Sequence, residues 1–125
     1  MAVDVGIRHL HLLVADQERS AAFYKDAFGM EEHFRDGAIL FIGTPGGDDS
    51  LALHQVATDE ERERIAVQGG YDHFGIHLPG RSADAIDEAV RRVEAAGGKL
   101  LERGEHAPGV PYAYVTDVDG YAIEL

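Results

Sequence analysis

Two stretches of this sequence repeat one pattern half a chain apart, and that repeat limits the fold more than any other feature. In Ile7-Arg8-His9-Leu10-His11-Leu12-Leu13-Val14 the even positions Leu10, Leu12 and Val14 form an apolar face, while His9 and His11 share the opposite one. In Tyr71-Asp72-His73-Phe74-Gly75-Ile76-His77-Leu78 the same division sets Phe74, Ile76 and Leu78 against His73, Gly75 and His77. Alternation with period two marks a half-buried strand. His9 and His73 lie 64 positions apart, and Gly29 and Gly97, each placed to end a helix, lie 68 apart. Two β-α-β-β-β halves, each about half the chain, account for both offsets.

The elements between these anchors follow from local chemistry. Asp16 stands as N-cap and Gly29 as C′ residue of a first helix whose Ser20, Phe23, Tyr24, Ala27 and Phe28 fall on one face. Strands are expected over 31–35 and 38–43, joined by the hairpin pair Asp36-Gly37. The run Thr44-Pro45-Gly46-Gly47-Asp48-Asp49 is a turn; neither a helix nor Lys-Ser/Thr follows it, so its glycines are not a phosphate loop. A fourth strand over 50–56 sends Leu51 and Leu53 one way and Ala52 and His54 the other. The acidic stretch 57–70 connects the halves, with a helical turn within 59–67. The second half then expects a helix over 82–96 with Ile86, Ala89, Val90 and Val93 on its apolar face, stopped by Gly97-Gly98. Strands over 99–103 and 111–117 flank a loop at 105–110, and Asp117-Val118-Asp119-Gly120 turns the chain into a last strand over 121–125.

The expected fold is α+β, paired β-α-β-β-β modules whose mixed sheet curls around a cavity. One domain spans 1–125, with the first module at about 5–56, a linker at about 57–70 and the second module at about 71–125. A 45% hydrophobic and 27% charged composition suits a packed chain of this length and not a disordered one. The formal charge of −12 argues against nucleic acid or an anionic membrane surface, both of which require clustered Lys and Arg. No segment approaches the ~20 apolar residues of a membrane span. Cysteine is absent, which removes disulfides, thiolate metal sites and a cysteine nucleophile and fits a cytoplasmic setting.

The last strand carries the chemistry. Tyr121, Ile123 and Leu125 share one face, which leaves Ala122 and Glu124 on the other. If the three histidine- and glutamate-bearing strands line one concave sheet, His9, His73 and Glu124 converge as two imidazoles and a carboxylate, a facial triad for a divalent metal. The alternative is a hydrogen-bonded polar cluster without metal, against which stands the cost of burying a carboxylate uncompensated. His11 and His54 face the same cavity as general bases or hydrogen-bond donors, or as plain wall histidines. His77 reads as structural, and His33 and His106 as exposed loop or edge residues. Aromatic residues in strands mostly pack, which covers Phe41 and Tyr112. A phenol beside a metal can also donate to a developing oxyanion.

These stretches, from Arg8 to Asp16, Ser20 to Met30, Asp72 to Ile76 and Asp117 to Leu125, resemble the vicinal oxygen chelate superfamily of glyoxalase I, bleomycin-resistance proteins, extradiol dioxygenases and fosfomycin-resistance thiol transferases. The resemblance implies metal ligands at His9, His73 and Glu124 and a site tyrosine at Tyr114. It implies one divalent ion, Fe(II) or Mn, Ni, Co or Zn, and a small-molecule substrate that chelates it through neighbouring oxygens. The fourth ligand of the glyoxalase I pattern falls on Ala52, so the three-ligand set favours dioxygenase-like chemistry; lyase or isomerase chemistry and a non-catalytic bleomycin-type binder are the alternatives. Fosfomycin resistance is not expected, because residues 102–110 offer no Lys-and-Ser pair upstream of Tyr114. The resemblance also implies a homodimer, with the cavity built from modules of one chain or of two.

Overall fold

The computed structural model describes residues 6–125; the start of the first module, expected at about residue 5, falls outside them. The order is β1 (His9–Val14), α1 (Gln17–Phe28), β2 (Glu31–Asp36), β3 (Ile39–Gly43), β4 (Ser50–Gln55), α2 (Asp59–Glu63), β5 (Phe74–Gly75), α3 (Ala83–Ala95), β6 (Lys99–Ala107), β7 (Val110–Thr116) and β8 (Ala122–Glu124). Strands assemble into two four-stranded mixed sheets, β1-β4-β3-β2 and β5-β8-β7-β6, each with one parallel pair, β1 with β4 and β5 with β8. The paired β-α-β-β-β halves are thus present. Each half hydrogen-bonds its own sheet, and among the described residues no single sheet closes around a cavity.

Local signals place the helices as expected. Asp16 accepts from the amides of Glu18 and Arg19, a cap worth about 1 kcal/mol. Gly29 ends α1 at φ 72°, a left-handed value that a residue with Cβ adopts only under strain. Ser20, Phe23, Tyr24 and Ala27 are buried on α1, and Ile86, Ala89, Val90 and Val93 on α3. These two faces meet each other and the inner faces of the sheets, so the core joins Leu12, Val14, Leu40, Ile42, Leu51 and Leu53 to Val115, Ile123 and Leu125. Gly98, just past α3, lies where a Cβ would collide with the Thr116 carbonyl and the side chains of Val93 and Phe23. Among the described residues no helix is long and apolar enough to cross a membrane.

The Asp117–Gly120 turn is the joint between the halves. Tyr24 donates its hydroxyl to Asp117 Oδ2 at 2.6 Å, and Ser20 donates to Asp119 Oδ2 at 2.8 Å. Ala15 N–H donates to Asp119 Oδ1, while Tyr121 reaches back to the Leu13 carbonyl at 2.6 Å. Asp117 Oδ1 meanwhile accepts from the amides of Asp119, Gly120 and Tyr121. A turn motif at the entry to the last strand therefore fixes the second half on β1 and α1.

Two expectations change and one holds. The strand expected over 71–78 shrinks to Phe74–Gly75, because its parallel partner β8 offers only Ile123 and Glu124 for pairing; His73 stands just before it. The loop expected at 105–110 is instead the end of a long hairpin. β6 continues to Ala107 and turns at Gly109 into β7, with register shifts between Leu100 and Glu102 and between Glu105 and Ala107. With no buried face, β6 lacks the period-two alternation that would have announced the strand. Finally, the helical turn expected within 59–67 is the short α2, closed at its start by a capping box in which Thr58 and Glu61 serve each other.

Candidate metal and substrate site

In the first half, strand register lays the candidate side chains out on the face of the sheet away from the helices. β1 and β4 pair with His11 opposite Ala52 and Leu13 opposite His54, and β3 brings Phe41 opposite Ala52. His9 and His11 are exposed there, and the His9 ring meets Phe41 edge-on at 6.2 Å. Ala52, where the resemblance puts the fourth ligand of the glyoxalase I pattern, is fully buried and contributes only a methyl. His54, two residues on, fills the space: its Nδ1 lies 2.9 Å from His11 Nε2, and its Nε2 lies 3.4 Å from Glu61 Oε2. Partial burial, with His54 and His9 nearby, holds His11 below the ordinary imidazole range. Glu61 is held below the usual carboxylate range chiefly by the Ala57 amide.

The second half carries the other group. β5 and β8 pair Gly75 with Glu124, and β7 sets Tyr114 opposite Glu124. His73 donates from Nδ1 to Asp72 Oδ2 at 2.6 Å, and its Nε2 lies 3.9 Å from Glu124 Oε2. The other carboxylate oxygen, Oε1, is 2.9 Å from His106 Nε2. That contact is the main reason Glu124 sits below the usual carboxylate range. The Tyr114 ring stands edge-on to His73 at 4.9 Å, and the neighbouring Glu124 carboxylate raises its phenol above the usual value. His106 stacks on Tyr112 at 4.1 Å. A cavity of about 430 Å³ opens beside this cluster, lined by His77, Arg81, His106, Val110, Tyr112 and Glu124 among others.

Of the expected ligands, His73 and Glu124 therefore face each other within one chain. His9 is not gathered with them: among the described residues no three His, Asp or Glu side chains lie closely enough together to hold a metal ion. His11 and His54 form a pair, and Tyr114 joins His73 and Glu124. His106 was expected as an exposed loop or edge residue; it is exposed on the edge strand β6, and what was not expected is its bond to Glu124. Its signal was parity across the hairpin, because Glu102 opposes Tyr114 and Gly104 opposes Tyr112, which puts residue 106 next on that face.

The family model described as the Glyoxalase/Bleomycin resistance protein/Dioxygenase superfamily matches residues 6–125. The chain belongs to this superfamily. It is 30% identical over 125 residues to a lactoylglutathione lyase of Neisseria meningitidis, an alignment covering 94% of this chain and 86% of that protein. A Salmonella typhimurium lactoylglutathione lyase is 29% identical, with 94% and 88% covered. Among solved structures, a glyoxalase-related enzyme from Fulvimarina pelagi superposes with a TM-score of 0.70 at 28% identity, covering 95% of this chain and 85% of that one. A FosX fosfomycin resistance protein from Listeria monocytogenes gives 0.74 at 20% identity, with 98% and 93% covered, a likeness of fold. A variant of FosX was solved with Mn(II) and a dihydroxypropylphosphonic acid; it gives 0.69 at 21% identity, with 99% and 90% covered.

Proposed function

We propose that this protein is a divalent-metal-dependent enzyme acting on a small molecule that presents two neighbouring oxygens, with His9, His73 and Glu124 as the ligands. The facing pair of His73 and Glu124 carries this reading. Their 3.9 Å separation is close to the span of two ligands of one first-row ion, about 3–4 Å at bonds of about 2.1 Å. Asp72 engages His73 at Nδ1 and so leaves Nε2 as the donor atom, the arrangement in which an outer carboxylate orients a ligating imidazole. His106 holds the far oxygen of Glu124 and keeps the near one toward His73. A divalent ion bound there would supply Lewis acidity toward the paired oxygens of the substrate.

The remaining side chains supply binding and proton handling. Tyr114 directs its hydroxyl chemistry at the same carboxylate-bearing face, and His11 moves a proton in a lyase or isomerase reaction. The lactoylglutathione lyases among the relatives support that reaction class. Dioxygenase-like chemistry is the second reading, supported by Ala52 at the fourth position and decided by the metal itself: iron would direct assays to catechols and oxygen uptake, and manganese, nickel, cobalt or zinc to lyase and isomerase substrates.

His9 completes the set from a second copy of the chain. Its face carries exposed histidines and lies on the sheet opposite in sequence to the one bearing His73 and Glu124. A homodimer in which His9 of the partner subunit meets His73 and Glu124 makes two such sites. Proteins carrying His9→Ala and His73→Ala should each lack metal, yet after co-refolding half the dimers would be mixed with one intact site each, restoring about a quarter of the wild-type content. Mixed dimers that stay empty would overturn the shared site.

A further inference from the structure

We infer that Glu61 is a positioning residue that sets the protonation pattern of His54 and His11, and so leaves His11 Nδ1 as a bare hydrogen-bond acceptor on the open face of the first sheet. The inference starts from the way Glu61 itself is held. Its Oε1 accepts from the amides of Ala57 at 2.9 Å and Thr58 at 3.2 Å, and from the Thr58 hydroxyl, while its own amide donates back to Thr58 Oγ1. The carboxylate cannot swing away without opening the start of α2. Its second oxygen, Oε2, is thereby presented to His54 Nε2 at 3.4 Å.

From there the donors and acceptors follow one after another. A carboxylate has no proton to give, and at 3.4 Å, an ion-pair contact and not a hydrogen bond, its charge favours a proton on the imidazole nitrogen it lies nearest. A neutral His54 protonated at Nε2 has a lone pair at Nδ1. That lone pair faces His11 Nε2 at 2.9 Å, so His11 Nε2 carries its proton and donates it. A neutral His11 protonated at Nε2 has its lone pair at Nδ1, and this atom makes no hydrogen bond among the described residues. The reverse assignment would set two lone pairs against each other between His54 and Glu61.

A segment that links the two halves thus reaches into the first sheet and chooses which atom of His11 meets a ligand. The group it selects for is an O–H or N–H donor. On the reading above, that is a hydroxyl next to the oxygens bound by the metal; the tautomer pattern itself does not depend on that reading.

The test is a long-range proton–nitrogen correlation spectrum of 15N-labelled, metal-free protein at mildly alkaline pH. Both His11 and His54 should show a protonated Nε2 and a bare Nδ1. In Glu61→Gln the side-chain carbonyl keeps the Ala57 and Thr58 amides, which turns the NH2 toward His54 Nε2. Both rings should then exchange, so that His11 becomes protonated at Nδ1. Thr58→Ala, which weakens the cap and keeps the carboxylate, should retain the wild-type pattern. A wild-type His11 protonated at Nδ1, or an unchanged pattern in a folded Glu61→Gln protein, overturns the inference. Because the protein is metal-free throughout, neither result bears on whether His73 and Glu124 bind metal.

Discussion

His73→Ala should come out of purification without metal, in a protein that still folds. The side chain is about one-quarter exposed at the edge of the second sheet and belongs to no part of the apolar core, so its removal should cost stability of no more than about 1 kcal/mol. Its loss to a metal is far larger. Changing an outer partner of a ligating imidazole already costs about 10–100-fold in affinity, and removing the imidazole itself should exceed the upper end of that range. Elemental analysis by mass spectrometry of wild-type and variant protein, purified without chelator or affinity-tag metal, reads the difference directly. Glu124→Gln is the partner variant, since the amide oxygen can keep the His106 contact while the charge is gone. Equal metal in wild type and His73→Ala would remove these residues as ligands. No metal in either, even after reconstitution, would favour a polar cluster in a small-molecule binder, whose ligand affinity is indifferent to EDTA.

How much of this was legible depended on whether the signal was local. The helix faces of α1 and α3 could be read position by position, because caps and a 3.6-residue period are written into consecutive residues. The parity of the last strand likewise separated buried Tyr121, Ile123 and Leu125 from Glu124. Pairing between distant segments was not legible. Nothing within 71–78 states that β8 is only three residues long, so the strand was drawn too far. β6 beyond Arg103 has no buried face to announce it and shifts register between Glu105 and Ala107, which hid the approach of His106 to Glu124. Parity set His9, His73 and Glu124 on the faces opposite the apolar ones, but a face in sequence does not say which other sheet it meets. His11, His54 and Glu61 show the same limit. The first two were visible as candidates, whereas their order in a chain of contacts required α2 to be placed.

Asp117→Ala should be strongly damaging for a polar residue, lowering stability by about 3–4 kcal/mol. Its carboxylate takes a buried hydroxyl from Tyr24 and three backbone amides from the turn that starts the last strand. Alanine leaves the Tyr24 hydroxyl and the Tyr121 amide without an acceptor in buried surroundings, each such orphan costing about 1–3 kcal/mol before the turn relaxes, while the Asp119 and Gly120 amides are only part-buried. The same turn docks on β1 and α1 through Asp119, so the loss spreads to the contact between halves. For a chain of this size the midpoint of thermal unfolding should fall by about 10–20 °C. Asp117→Asn separates hydrogen bonding from charge: its carbonyl oxygen can serve the three amides while its NH2 donates to the Tyr24 oxygen. Burial outweighs those donors and leaves the Asp117 carboxyl above its usual range, so the folded protein holds a proton there more readily than the unfolded chain does. The residue's contribution is then fully present below the unfolded pKa and declines as pH rises through the raised folded one. Asn, which does not titrate, should therefore cost more in acid than at neutral pH, and denaturant unfolding of both proteins across that interval measures the trend. A gap that widens toward neutral pH would show instead that the three amides and Tyr24 favour the ionised form, and that the joint between the halves is held by a buried charge.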